Sequence, residues 1–144
     1  MSKNIFIIAG EPSGDHHGAR LMFQLKKQNP NITFSGIGGD NMEAEGLKSL
    51  FALDQLSVMG FIEVIKHLKF FRTVEATVLT NIQQNPPDRI ILIDYPGFNL
   101  RITKKIKKIC DIPITYYISP QLWAWKSGRI EIIRQYIDQL LVIF

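Results

Sequence analysis

The chain has 144 residues, enough for one domain with a substantial core. Its 46% hydrophobic and 21% charged residues exclude an intrinsically disordered chain, which lacks the apolar surface needed to offset ordering. A net charge of +4 is compatible with nucleic acid, anionic lipid or phosphorylated ligands without choosing among them, and the single cysteine, Cys110, excludes a disulfide framework within the chain.

The N-terminal apolar run is too short for a signal-peptide core. No run approaches the roughly 20 apolar residues that span a bilayer. A reducing, cytosolic compartment or a membrane surface is the expected location.

Residues 5–9 (Ile-Phe-Ile-Ile-Ala) are apolar on both faces, the mark of a buried parallel strand. Residues 10–15 form a turn, residues 19–27 a helix, and Asn29-Pro30-Asn31 ends it. Residues 32–37 are a second strand, residues 42–46 a short helix closed by glycine, and residues 49–53 a short strand. Residues 61–83 carry the longest pattern of three- and four-residue apolar spacing, stopped by Pro86-Pro87. Residues 89–94 are a strand, 101–110 a basic helix, 113–118 a strand, 128–136 a helix and 140–144 a last, buried-looking strand. Strands alternating with helices predict an α/β fold with a largely parallel sheet. A chain stopping on such a strand is expected to be cut from something longer.

In open α/β sheets ligands bind beyond the carboxyl ends of the strands. Three unusual loops fall there: residues 10–15, 94–99 and 119–125. The first bears glycines that admit close backbone approach, and it precedes a helix N-terminus; it is equally a tight turn with Ser13 or Asp15 as N-cap. It is neither a Gly-x-Gly-x-x-Gly fingerprint nor a P-loop. His16 and His17 point about 100° apart on a helix, and metal binding by them is not expected. Asp94 follows four apolar residues to the border of the core, a place that suits a general base for a sugar hydroxyl; it also suits a loop cap or an ion pair. Asn99 either hydrogen-bonds a ligand or caps the basic helix. Trp123 and Trp125, near Ser119-Pro120, either stack on sugar rings or fill the core. Residues 56–62 lead into a helix carrying Lys66, Lys69 and Arg72, a pattern an interfacial membrane helix needs, but the pattern alone favours a plain amphipathic helix packed on the sheet. Lys104, Lys105, Lys107 and Lys108 are expected to be a solvated helix face rather than a nucleic-acid patch.

Five segments together are specific: Ala9-Gly10-Glu11-Pro12-Ser13-Gly14-Asp15, residues 36–46 (Gly-Ile-Gly-Gly-Asp-Asn-Met-Glu-Ala-Glu-Gly), residues 56–64 (Leu-Ser-Val-Met-Gly-Phe-Ile-Glu-Val), residues 93–99 (Ile-Asp-Tyr-Pro-Gly-Phe-Asn) and residues 117–125 (Tyr-Ile-Ser-Pro-Gln-Leu-Trp-Ala-Trp). In order and spacing they resemble the lipid-A-disaccharide synthases, bacterial glycosyltransferases. The resemblance implies a Rossmann-like parallel sheet with flanking helices, the N-terminal half of a GT-B fold. Residues 1–144 would be the acceptor-side domain, with the C-terminal UDP-sugar-binding domain absent from this chain.

The implied reaction moves an acylated glucosamine from UDP to an acylated glucosamine 1-phosphate. It forms a β-1,6 link with inversion, without metal or cofactor. Asp94 is implied as the base. Glu11, Ser13, Gly14 and Asp15 are implied to line the cleft, and Asn99, Ser119, Trp123 and Trp125 are the further substrate-binding candidates. Val58, Met59, Phe61, Ile62 and Ile65 are implied to meet acyl chains or the membrane, which overrides the packed-helix alternative. The implied partners are UDP-diacylglucosamine, diacylglucosamine 1-phosphate and the inner-membrane surface of a Gram-negative-type bacterium, not nucleic acid, with a homodimer admitted for the full-length enzyme. Asp40 stands where many relatives have proline, a change the loop is expected to tolerate. Because less than half of a typical family member is covered, this segment alone is expected not to turn over. The competing expectations are a catalytically silent module binding acylated sugar or lipid, and a flavodoxin-like nucleotide binder using residues 10–15.

Overall fold

The structure is a computed structural model that describes residues 2–57, 64–118 and 127–142. Its elements run β1 (Lys3–Ala9), α1 (Pro12–Gln28), β2 (Ile32–Ile37), α2 (Asp40–Ala44), β3 (Leu47–Ser49) and α3 (Leu53–Ser57), then α4 (Val64–Gln84), β4 (Arg89–Ile93), α5 (Pro96–Ile109), β5 (Ile114–Tyr117), α6 (Ser127–Tyr136) and β6 (Gln139–Leu141). The six strands form one parallel sheet in the order β3-β2-β1-β4-β5-β6. This is the Rossmann strand order. The α/β expectation is met.

The core explains why the strands read as unbroken apolar runs. Successive side chains point to opposite faces of a strand, and here both faces are covered. Phe6, Ile8, Ile90, Leu92, Ile114 and Tyr116 pack with Val74, Val78 and Ile82 of α4, Ile102 and Ile106 of α5 and Ile133 of α6. Ile5, Ile7, Ala9, Ile91 and Ile93 pack on the other face with Met22 of α1 and Met42 of α2.

Three boundaries and the burial of one strand differ from expectation. Helix α1 begins at Pro12, not residue 19, so Ser13, Gly14 and Asp15 lie in its first turn rather than in a loop. Proline suits the first helical turn because its missing N–H would have no intrahelical partner there. The glycines of α1 serve close packing: a methyl group at Gly18, one turn on, would fall 2.6 Å from the Met42 sulfur. Helix α5 likewise starts at a proline, Pro96. Strand β3 ends at Ser49, where a strand was expected to start, and the short helix α3 follows. Strand β6 is not buried. Among the described residues it pairs with β5 alone, at the edge of the sheet, and Leu141 is 38% exposed.

Candidate active site at the centre of the sheet

Strand order reverses between β1 and β4. From β1 the chain builds outward through β2 and β3, and from β4 through β5 and β6. Such a switch point opens a crevice at the carboxyl edge, because the two connections leave in opposite directions. Ala9 and Ile93 are register partners, so Gly10 and Asp94 leave the sheet side by side.

Asp94 and Tyr95 both adopt left-handed backbone conformations, with φ of 43° and 49°. For residues with a Cβ this costs on the order of 1–2 kcal/mol each. Ile118, at the end of β5, is the third non-glycine residue of positive φ among the described residues, so all three lie on the carboxyl edge. The Asp94 N–H donates to the Tyr117 carbonyl at 3.1 Å. The Asp94 carbonyl accepts two bonds, from the Tyr116 hydroxyl at 2.6 Å and the Asn99 amide nitrogen at 2.8 Å. The Asn99 amide also reaches the Ile93 carbonyl at 3.3 Å. Burial pushes the Tyr116 hydroxyl far above its usual range, the Asp94 carboxylate pushes the same way, and Arg129 opposes them. Tyr116 is therefore a neutral donor at any ordinary pH. The Asp94 side chain remains half-buried at the strand end.

The Tyr95 ring lies over the Gly10 backbone. A methyl group at Gly10 would sit 2.1 Å from a Tyr95 ring carbon, so glycine is required for this close approach. Tyr95 also meets Phe98 edge to face, with centroids 6.1 Å apart. Burial, and then the Glu11 carboxylate, raise the Tyr95 hydroxyl above its ordinary value. Beside these residues lies a cavity of about 360 Å³, walled by Tyr95, Phe98 and Phe71, with Glu11, Glu75 and Arg101 as polar groups. Glu75 is buried and pairs with Arg101 Nε at 2.8 Å and with Lys105 Nζ. The arrangement combines a carboxylate at a strand end with an adjoining cavity that is apolar on its walls and charged at a few points. It can hold a ligand with polar and apolar parts next to a proton acceptor.

The family model described as Lipid-A-disaccharide synthetase matches residues 5–144, a span that contains this whole site. The chain belongs to the lipid-A-disaccharide synthetase family. It is 46% identical over 143 residues to Lipid-A-disaccharide synthase 1 of Legionella pneumophila, covering 99% of this chain and 37% of that relative. Lipid-A-disaccharide synthases of Coxiella burnetii and Geobacter metallireducens are 41% and 40% identical, with 99% of this chain and 38% and 37% of theirs covered. The chain thus spans well under half the length of the relatives it matches. A solved ugt transferase from Siraitia grosvenorii in complex with UDP aligns with a TM-score of 0.47 at 11% identity, over 82% of this chain and 28% of that one.

In this lipid-A-disaccharide synthetase chain, the sequence-named residues fall into three groups. Asp94, Asn99 and Glu11 gather at the β1–β4 switch point, although Asn99 is fully buried with its amide on backbone carbonyls. Glu11 is the N-cap residue of α1, but its side chain makes no cap bond, and Ser13 is exposed in the first turn. Gly14 is buried in the same turn. Asp15 does not cap α1. It is 4% exposed, and its carboxylate accepts from Gly39 N (2.8 Å), Met42 N (3.0 Å), Asn41 N (3.2 Å) and Asn41 Nδ2 (3.0 Å), so it caps α2. Its position in the first turn of α1, facing the start of α2, decides this. Ser119, Trp123, Trp125, Val58, Met59, Phe61 and Ile62 lie outside the described residues, as does the side chain of Ile65.

Two of the four lysines expected on a solvated face are engaged: Lys105 with Glu75, and Lys107 with Asp138 and the Ile112 carbonyl. Cys110 is half-buried at the end of α5, where its thiol meets the Ile106 carbonyl. Among the described residues, no cluster of His, Cys, Asp or Glu is placed to hold a metal, and no helix is long and apolar enough to cross a membrane. Sequence inspection missed Glu75, Arg101 and Tyr95. One signal was available: Arg101 and Lys105 are four apart on a helix, so they share a side and can converge on one partner.

Proposed function

We propose that residues 1–144 form the acceptor-side half of a lipid-A-disaccharide synthase with a two-domain GT-B architecture. The observation that carries the proposal is the position of Asp94, in a chain matched to the family from residue 5 to 144, at the strand end where the sheet order reverses. In the proposed reaction the Asp94 carboxylate takes the proton from the 6-hydroxyl of an acylated glucosamine 1-phosphate. The freed oxygen attacks the anomeric carbon of a UDP-linked acylated glucosamine, the carbon–oxygen bond to UDP breaks, and the configuration inverts. A carboxylate accepts this proton as the oxygen becomes nucleophilic, and holding both sugars in line supplies much of the acceleration.

The cavity beside Tyr95 suits the acceptor, because its aromatic walls favour apolar parts while Glu11 and Arg101 meet polar ones. The donor grip belongs to the length of the relatives that this chain does not span. We place the enzyme on the cytoplasmic face of a membrane, where Lys69 and Arg72, exposed on α4, would face anionic headgroups. A second reading is a segment that binds acylated sugar without transfer, which the aromatic walls and polar points of the same cavity would equally serve.

The test is Asp94→Asn in residues 1–144 fused to the remaining length of the Legionella relative. Disaccharide formation should fall by at least about a hundredfold, the usual scale for losing a general base. Unchanged turnover would remove Asp94 from the chemistry. Acceptor binding by a fusion that never transfers would select the second reading.

A further inference from the structure

We infer that Tyr116 and Asn99 are positioning residues that hold Asp94 in its working conformation by clamping its own backbone carbonyl; this rests on Asp94 being the base. The two donors come from different elements. Tyr116 lies on the neighbouring strand β5, and Asn99 lies in the first turn of α5. They converge on one oxygen at 2.6 and 2.8 Å. Both side chains are fully buried, so neither is available to a substrate.

The clamp addresses a specific difficulty. Asp94 and Tyr95 stand in the left-handed region, which residues with a Cβ adopt only when their surroundings over-determine it. With the Asp94 carbonyl turned inward to Tyr116 and Asn99, the peptide between Asp94 and Tyr95 is fixed. Relaxing it would swing both side chains: the carboxylate at the strand end, and the ring seated over Gly10. The Asn99 amide does more than hold one oxygen, since it also reaches the Ile93 carbonyl and so ties the end of β4 to α5. Its own Oδ1 is buried without a hydrogen-bond partner among the described residues. The Asn99 amide nitrogen is thus spent on the two backbone carbonyls at and before Asp94. Tyr116 supports the same assignment. Burial keeps its hydroxyl protonated, so it donates across the working pH range.

The test uses Tyr116→Phe, which keeps the ring and its packing and removes one donor, and Asn99→Ala in the same chain. Backbone ¹³C and ¹⁵N shifts of residues 1–144 report the torsions of Asp94 and Tyr95 directly. The double variant should lose its left-handed signature at these two positions while β1 and α1 keep theirs. In the fused transferase, Tyr116→Phe should lower kcat about ten- to a hundredfold with KM within twofold, as expected for a misplaced group rather than a lost contact. In an Asp94→Asn background the same change should have no further effect. Retention of left-handed shifts in the double variant overturns the clamp. So does an equal fall in kcat in the Asp94→Asn background, which would mark Tyr116 as merely structural. If Asp94→Asn itself keeps the wild-type rate, the base assignment falls instead, and the shift measurement still decides whether the clamp exists.

Discussion

Replacing Asp15 by alanine should destabilise the fold without touching the proposed chemistry. The carboxylate accepts two buried bonds, from Gly39 N at 2.8 Å and Met42 N at 3.0 Å, and two part-buried ones from Asn41. Bonds to a charged group contribute about 1.5–3 kcal/mol each, and an orphaned buried N–H forfeits most of that. Counting only the two buried bonds at the low end gives about 3 kcal/mol. An unfolding entropy of about 2.1 cal/mol/K per residue makes this a fall of about 10 °C in Tm for a chain of this size. Thermal unfolding followed by circular dichroism measures it. Asp15→Asn keeps an acceptor oxygen but sets an NH₂ against an N–H donor, so it should fall between alanine and wild type. A Tm within about 2 °C of wild type for Asp15→Ala would refute the assignment of Asp15 as the cap of α2. It would return Asp15 to the cleft.

Two further perturbations probe the neighbourhood of the site and the far end of the sheet. Gly10→Ala places a methyl group 2.1 Å from a Tyr95 ring carbon, so the ring must leave; overpacking of this kind costs about 1–3 kcal/mol, and the Tyr95 ring proton shifts should move while those of Phe6 do not. For Asp138, burial alone would raise the carboxyl, but the Ile114 N–H and the Lys107 ammonium outweigh it and hold the group below its usual range. Its stabilising contribution is therefore complete above the unfolded value of 3.8 and fades as pH falls through the lower folded value. Asp138 is half-exposed, so the effect is at most about 1 kcal/mol, and Asp138→Asn should flatten the acid side of the urea-midpoint profile by that amount.

The sheet was legible in the sequence because strands covered on both faces cannot hide their composition. Residues 5–9 and 89–93 had to be buried, and they proved to be the central pair. The alternation of strand and helix then predicted parallel pairing. Helix starts were less legible. Residues 10–15 read as a turn, but Gly14 and Gly18 lie within α1, where their role depends on Ala9 and Met42, which come close only in the folded chain. The unexpected exposure of β6 has the same origin: an apolar run marks a strand but does not reveal whether a helix lies over it. Asp94 could be named as a candidate from sequence because an acid after four apolar residues is conspicuous, while its role as base was what the family resemblance implied. Its left-handed backbone and the convergence of Tyr116 and Asn99 could not, since they arise from strand register and the start of α5.

The central claim is that an acylated glucosamine 1-phosphate seats at the β1–β4 switch point. The most direct measurement is an NMR titration of residues 1–144 with a short-chain diacylglucosamine 1-phosphate. The account predicts saturable shifts at Gly10, Glu11, Asp94, Tyr95 and Phe98, absent with unacylated glucosamine. Shifts confined to the opposite face of α1 around His17 and Arg20, or none at a concentration that saturates the Legionella relative, would contradict it.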